Sequence, residues 1–222
     1  MIKCVVSWSS GKDSAWTVGV LRGRGDVALG ALLTTINTAA QRVAMHAVRV
    51  DLLQAQADAI GVPLWQVPIP SPCTNEEYER AMEIAVRRAV AEGFTHVAFG
   101  DLFLEDVRRY REERLAGSGL TPIFPLFGID TTRLAQEMVN RGLRARLTCV
   151  DPRALDRRFA GREFDAPLLA ELPPGVDPCG ERGEFHTFAY DGPMFARPIP
   201  VDTGEIVERD GFVFADMIAS TR

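Results

Sequence analysis

Ser9-Ser10-Gly11-Lys12-Asp13-Ser14 lies between a short apolar run, Ile2-Lys3-Cys4-Val5-Val6-Ser7, and a stretch from Ala15 to Leu21 that begins a helix. A short apolar, β-branched run suits a strand buried on both faces of a parallel sheet. A tight turn of small residues between such a strand and a helix exposes backbone N–H groups at the positive end of the helix dipole, where a phosphate docks. Lys12 adds a mobile positive charge, and the hydroxyls of Ser7, Ser9, Ser10 and Ser14 add donors around Gly11. A helix cap alone needs one such residue, not the whole set. The stretch is not a Walker A loop, because Asp13 follows Lys12 where that pattern has Ser or Thr.

Working outward, Val27 to Ile36 reads as a second strand carrying Thr34-Thr35 near its end, and Val50 to Ile60 as a helix closed by Gly61. Leu64 to Val67 reads as a third strand, ended by Pro68 and Pro70. Thr74-Asn75-Glu76-Glu77 is a capping box that opens a helix terminated by Gly93. His96 to Gly100 is a fourth strand, with Asp101 at its end. This alternation predicts an α/β fold: an open, parallel, Rossmann-like sheet with helices on both faces. Ligands of such sheets bind beyond the carboxyl ends of the strands. Residues 9 to 14, Thr34-Thr35 and Gly100-Asp101 all fall at such ends and can border one nucleotide.

After residue 120 the texture changes. Thr121 to Phe127 reads as a Pro-interrupted apolar linker, Asp130 as a helix cap, and Arg144 to Val150 as a strand. A Pro/Gly-rich loop from Pro173 to Gly183 follows, then β-rich segments around a Glu208-Arg209-Asp210-Gly211 turn. The expected organisation is a nucleotide-binding domain over residues 1–121 and a smaller C-terminal α+β domain over 122–222 that holds the acceptor.

A length of 222 residues supports one large or two modest domains with an ample core. The net charge of -5 argues against a general nucleic-acid-binding surface. No apolar run approaches the ~20 residues that span a bilayer, and no signal-peptide pattern opens the chain, so the expected location is cytoplasmic. Cys4 and Cys149 sit in strand-like runs and read as buried; Cys73 and Cys179 sit in Pro-flanked loops, and no Cys-x-x-Cys occurs. Lys3 and Lys12 are the only lysines among 25 basic residues, a bias that suggests a GC-rich bacterial genome and singles out Lys12. An apolar surface patch would support a homodimer.

Asp177-Pro178-Cys179-Gly180-Glu181-Arg182-Gly183-Glu184-Phe185-His186-Thr187 is the second dense run. Gly180 and Gly183 allow a sharp turn. Glu181, Glu184, His186 and Thr187 around it can hold an amine or ammonia, take up protons, or ligate Mg²⁺; they equally suit a polar loop entering a strand. Arg108, Arg109, Arg111 and Arg114, mixed with Tyr110, Glu105, Glu112 and Glu113, form either a solvated helix face or a cluster from which one Arg reaches an anion.

The loop at residues 9 to 14 resembles the PP-loop of the N-type ATP pyrophosphatases, Ser-Gly-Gly-x-Asp-Ser, with Ser10 in place of the first Gly. The second run resembles the Cys-Gly-Glu-x-Gly-Glu-(Tyr/Phe)-His-Thr signature of the diphthine–ammonia ligase family. Val97-Ala98-Phe99-Gly100-Asp101-Leu102, Pro125-Leu126-Phe127, Leu134 to Val139 and Tyr190-Asp191-Gly192-Pro193-Met194-Phe195 fit the same family in order. The resemblance covers most of the chain and implies a HUP-type sheet. It also implies an adenylating amidation: a carboxylate attacks the α-phosphorus of ATP, pyrophosphate leaves, and ammonia attacks the acyl-adenylate. ATP and Mg²⁺ are the implied cofactors; ammonia and a carboxylate acceptor, small molecule or protein side chain, are the implied partners. Ser9, Ser10, Gly11, Lys12 and Ser14 would take the phosphates, Asp13 and Asp101 the metal, and Glu181, Glu184 and His186 the acceptor and ammonia side. Met45-His46-Ala47-Val48 stands where archaeal and eukaryotic members tend to carry a His-Thr-Pro-Asn type segment, and this leaves the acceptor open. The competing readings are another PP-loop enzyme, such as a tRNA-modifying one, and a non-catalytic ATP or AMP sensor.

Overall fold

A computed structural model describes residues 1–39, 42–43 and 48–220. Met45, His46 and Ala47 lie outside them. In chain order the elements are β1 (Ile2–Ser7), α1 (Lys12–Arg22), β2 (Val27–Asn37), β3 (Arg42–Val43), α2 (Val50–Ile60), β4 (Leu64–Ile69), α3 (Asn75–Ala91), β5 (His96–Ala98), α4 (Glu105–Leu115) and β6 (Thr121–Ile123). There follow α5 (Thr131–Asn140), β7 (Arg144–Val150), α6 (Ala166–Glu171), β8 (Phe185–Asp191), β9 (Val201–Arg209) and β10 (Phe212–Ala219).

The first sheet runs β4-β2-β1-β5-β6, all parallel, with the short β3 antiparallel against the far end of β2. The chain builds outward from β1 to β2 and β4, then returns to the other side of β1 with β5 and β6. The order therefore reverses beside β1, and the loop after β1 opens into the crevice where such sheets bind ligands. Side chains of the central strands alternate between two cores, as a period of two requires. Cys4, Val6 and Leu32 pack with α1, α2 and the second sheet; Val5, Ala31 and Leu33 pack on the opposite face with Ala85, Ala89 and Leu115.

Two Pro residues misled the boundaries read from sequence. β4 continues through Pro68 to Ile69, and the expected linker at Thr121 begins with β6, paired to β5 around Pro122. Both strands are sheet edges, where a residue without an N–H is tolerated because one side needs no donor. The capping box of α3 is present as read, with Glu77 N donating to Thr74 Oγ1 and Thr74 N to the Glu77 carboxylate.

The second sheet is antiparallel, in the order β8-β7-β10-β9. Its β9–β10 hairpin turns on Asp210 and Gly211, at φ 52° and 79°, the left-handed pair that a two-residue turn of the type I′ kind demands. This sheet shares one hydrophobic core with α1 and α2, and the Ala189 N–H of β8 donates to the Ser10 carbonyl. Among the described residues no helix is long and apolar enough to cross a membrane.

Candidate active site

The loop after β1 is held from behind by both sheets. Ser10 is fully buried at φ +71°, the left-handed region, which explains why the related PP-loop form has Gly there. Its carbonyl accepts from Ala189 N (2.9 Å) and from Gln56 Nε2 (2.9 Å). Gln56, buried on α2, also donates to the Ala189 carbonyl at 2.6 Å and accepts from Trp8 Nε1 at 3.1 Å. Every polar atom of that amide is used, so the strained turn is over-determined by its surroundings. Ser10 Oγ is buried without a hydrogen-bond partner. Ser10→Gly therefore removes both the left-handed penalty and an unpaired hydroxyl, against a smaller entropic loss in the unfolded chain. The expected result is a gain of about 1 kcal/mol with ATP binding retained; a lower urea midpoint would refute it.

Gly11 caps α1 and has no side chain to occupy the first-turn donors, which leaves that helix start suited to an anion. Ser9 Oγ accepts from Gly11 N (3.3 Å) and lies 3.2 Å from Ser14 Oγ. Lys12 is only 2% exposed. Its N–H donates to Thr187 Oγ1 (3.0 Å), and its Nζ contacts the Asp13 carboxylate (2.8 Å) and the Cys179 carbonyl. Burial works against the Lys12 charge, but the carboxylates of Asp13 and Glu181 outweigh it and hold its pKa above the ordinary value. Lys12 is a buried ammonium.

Opposite stands the loop from Asp177 to Thr187, tied by two carboxylates. Glu184, buried, accepts from Asp177 N and Arg182 N, each at 3.0 Å. Asp177, also buried, accepts from Glu181 N at 2.8 Å. Gly180 sits at φ +70°, and a Cβ there would come within 2.8 Å of the Phe185 carbonyl oxygen. The turn throws Glu181 across to the first sheet, where its Oε1 accepts from Leu102 N at 2.7 Å. Burial, with the nearby charges of Asp13 and Asp101, pushes Glu181 up to about 7 against the Leu102 hydrogen bond. His186, on β8, is lowered to about 4 by burial and by the Lys12 charge, so its imidazole is neutral at pH 7.

These parts enclose a cleft of about 450 Å³. Ser7, Ser9, Lys12, Asp13 and Ser14 line it from the loop after β1; Thr35, Gly100 and Asp101 from the ends of β2 and β5; Gly180, Glu181, His186 and Thr187 from the second loop. Gly100 lets the strand end approach α1, since a Cβ would lie 3.1 Å from the Asp13 carbonyl carbon. The remaining expected residues stand apart from the cleft wall. Ser10 and Gly11 form the loop's back, Thr34 faces a neighbouring apolar slot, and Gly183 and Glu184 lie within the second loop. Glu184→Ala leaves two backbone N–H groups unpaired and should cost roughly 2–4 kcal/mol of stability. Nucleotide binding should survive while acceptor turnover is lost through displacement of Glu181; an unchanged urea midpoint would contradict this.

Sequence reasoning gave no site role to Tyr78, Phe99, Cys179 or Phe185, which also line the cleft, nor to the supporting Trp8, Gln56 and Asp177, although Phe99, Asp177, Cys179 and Phe185 lie within the motifs it quoted. Of the Arg cluster on α4, Arg111 faces the cleft and pairs with Asp101 at 2.9 Å. Arg108, Arg109 and Arg114 pair with Glu112, Glu113 and Glu79 on more exposed surface. Among the described residues, no three His, Cys, Asp or Glu side chains gather into a metal cage. Asp13 and Asp101 both line the cleft, each already ion-paired, to Lys12 and to Arg111.

An anion cradle at the reversal point of a doubly wound sheet, facing a carboxylate–imidazole loop, defines a nucleotide-handling protein of the PP-loop class. Residues 2–121 match the diphthamide synthase N-terminal domain and residues 130–217 the diphthamide synthase C-terminal domain. The chain belongs to the diphthamide synthase family. It is similar to the diphthine–ammonia ligases of Bos taurus (30% identical) and Homo sapiens (29%), in each case over 93% of this chain and 85% of the relative. That of Danio rerio is 29% identical over 93% of this chain and 89% of its own length.

Proposed function

We propose that the protein is an ATP-dependent, AMP-forming amide ligase. The observation that carries this reading is the meeting, in one cleft, of the buried Lys12 ammonium with Glu181 and His186. In the reaction a carboxylate oxygen of the acceptor bonds to the α-phosphorus of ATP and the bond to the β-phosphate oxygen breaks, releasing pyrophosphate. Ammonia then adds to the acyl carbon and AMP leaves with the electron pair of the broken C–O bond.

Ser9, Ser14, the start of α1 and Lys12 bind the phosphates and stabilise charge on the leaving pyrophosphate. Ser7 and Thr35, at the ends of β1 and β2, line the same cleft and would contact the nucleoside, with Thr34 behind them on the side of the apolar slot. Asp13 and Asp101 would hold Mg²⁺, which supplies charge neutralisation at the phosphates. Glu181, titrating near the working pH, takes the proton that ammonium must lose before it can attack. His186, neutral, accepts or donates a hydrogen bond at the acyl group, and Thr187 fixes the Lys12 backbone. Glu184 and Asp177 act by holding Glu181 in place.

That its relatives are diphthine–ammonia ligases supports amidation by ammonia; the acceptor here is taken as a carboxylate of open identity. Incubation with ATP, Mg²⁺, ammonium and a panel of carboxylates should give AMP and pyrophosphate in equal amounts with one acid. Tight ATP binding without AMP on any acceptor, including a protein acceptor, would sink the ligase reading and leave a nucleotide sensor.

A further inference from the structure

Gln56 is fully buried on α2, and neither it nor the Ser10–Gly11 peptide it touches lines the cleft. Its amide can face only one way. The Trp8 indole can only donate and the Ser10 and Ala189 carbonyls can only accept, so Oε1 faces Trp8 and Nε2 the two carbonyls. The Ser10 carbonyl accepts from the Ala189 N–H as well, and both donors draw it toward α2 and β8.

In a trans peptide the N–H points opposite to the carbonyl. The Gly11 N–H is therefore turned away from Gln56, and it donates to Ser9 Oγ at 3.3 Å. From there the hydroxyl protons can be followed in turn. Ser14 Oγ donates its proton to the Gly11 carbonyl at 2.9 Å, so toward Ser9 it can only accept. Ser9 Oγ, already accepting from Gly11 N, keeps its own proton for Ser14 or for an anion in the cleft, which both serines line. The donors thus run in one direction, from the Gln56 amide through the Ser10–Gly11 peptide to a Ser9 hydroxyl that donates into the cleft. Backbone sterics oppose this arrangement. Ser10 at φ +71° would gain by returning to negative φ, and Gly11 beside it tolerates a turned peptide. Hydrogen bonds alone hold the peptide as it stands.

We infer that Gln56 is a positioning residue for the phosphate loop: by fixing the Ser10–Gly11 peptide it makes Ser9 a hydrogen-bond donor to the phosphates. The inference rests on the reading that this loop binds ATP; Gln56 itself touches no ligand. The test is a double-mutant cycle on Mg²⁺–ATP affinity, measured by equilibrium dialysis with the intact chain. Ser9→Ala and Gln56→Met should each weaken ATP by about tenfold, the usual effect of losing one hydrogen bond to a charged group. Because both act through one hydroxyl, the double variant should fall no more than about twofold below the poorer single one. Phe94→Ala opens a cavity in the core at the opposite end of the first sheet. It should lower the melting point as far as Gln56→Met does, yet leave ATP affinity within about twofold of wild type. Without any ligand, ¹⁵N-glycine spectra should show a single Gly11 amide signal in the wild type. In Gln56→Met that signal should be broadened or doubled, with Gly19 on the same helix unchanged. The inference is overturned if the two single effects multiply to about a hundredfold in the double variant. It is also overturned if either single variant binds ATP like the wild type, if Phe94→Ala weakens ATP as much as Gln56→Met, or if the Gly11 signal ignores Gln56→Met. Should Gln56→Met not fold, Gln56→Asn, whose amide is one methylene short of the Ser10 carbonyl, takes its place throughout. A wild type that binds no ATP would instead overturn the ligase reading, and the glycine spectra would decide alone whether Gln56 fixes this peptide.

Discussion

Lys12→Ala should lower kcat/KM for ATP by about 10²–10³, the usual cost of removing one preorganised donor from a site where negative charge develops. The expectation is specific to this lysine because burial makes its charge count for more than an exposed one would. It faces the phosphate loop with its stem 2% exposed, and Phe164 and Phe185 rings each lie 5.5 Å from its Nζ. The same substitution strips the Asp13 carboxylate and the Cys179 carbonyl of a donor, so stability should also fall, by about 1–3 kcal/mol. Lys12→Met separates the two effects. It keeps most of the buried volume, so its melting point should lie above that of Lys12→Ala while its ATP turnover is equally poor. Turnover within tenfold of wild type in either variant would remove Lys12 from the reaction.

What could be read from the sequence was local. The stretch from Ser9 to Ser14 announced itself because strand, small-residue turn and helix follow one another without interruption, and the sheet followed from the same alternation. The end of α2 at Gly61 and the capping box at Thr74 were legible for the same reason, each being a few adjacent residues with one geometric solution. Pro68 and Pro122 misled because a Pro breaks a central strand but not an edge, and which strands are edges depends on topology. Ser10 looked like a conservative change for Gly; only the backbone angle of +71° makes it a strained one.

The site's long-range parts were opaque for a related reason. Nothing in the sequence of α4 separates Arg111 from Arg108, Arg109 or Arg114; its partner Asp101 lies on another element. Gln56 reads as one polar residue on an apolar helix, yet it joins α2, the phosphate loop and β8. Within the second run, Glu181 and Glu184 are of one type and three residues apart, and they part company only through the left-handed turns at Gly180 and Gly183. One crosses to the Leu102 N–H and the cleft, while the other turns inward to hold the loop.

That division makes Glu181→Gln the sharpest test of the acceptor side. With Glu181 at about 7, the fraction able to accept a proton from ammonium rises through neutral pH, so amidation should climb over that range in the wild type. Gln cannot take the proton, and the amidation step should fall by about 10²–10⁴. The rise near pH 7 should vanish, leaving only the increase due to free ammonia at higher pH. Pyrophosphate exchange into ATP, which needs no ammonia, should persist. Hydroxylamine, largely unprotonated at neutral pH, should close most of the gap as an alternative nucleophile. Stability runs the opposite way. A folded-state pKa raised from 4.5 to about 7 means that the folded chain keeps a proton the unfolded chain has lost, so the stabilisation present below about 4.5 declines as pH rises to about 7. Glu181→Gln removes that burden. The variant should be more stable than wild type at pH 8, by on the order of 1 kcal/mol after allowance for solvent screening of a partly exposed group, with the advantage gone at pH 4. A less active but more stable enzyme at pH 8 is what a carboxylate kept for chemistry predicts; equal loss of activity and stability at every pH would make Glu181 a structural residue instead.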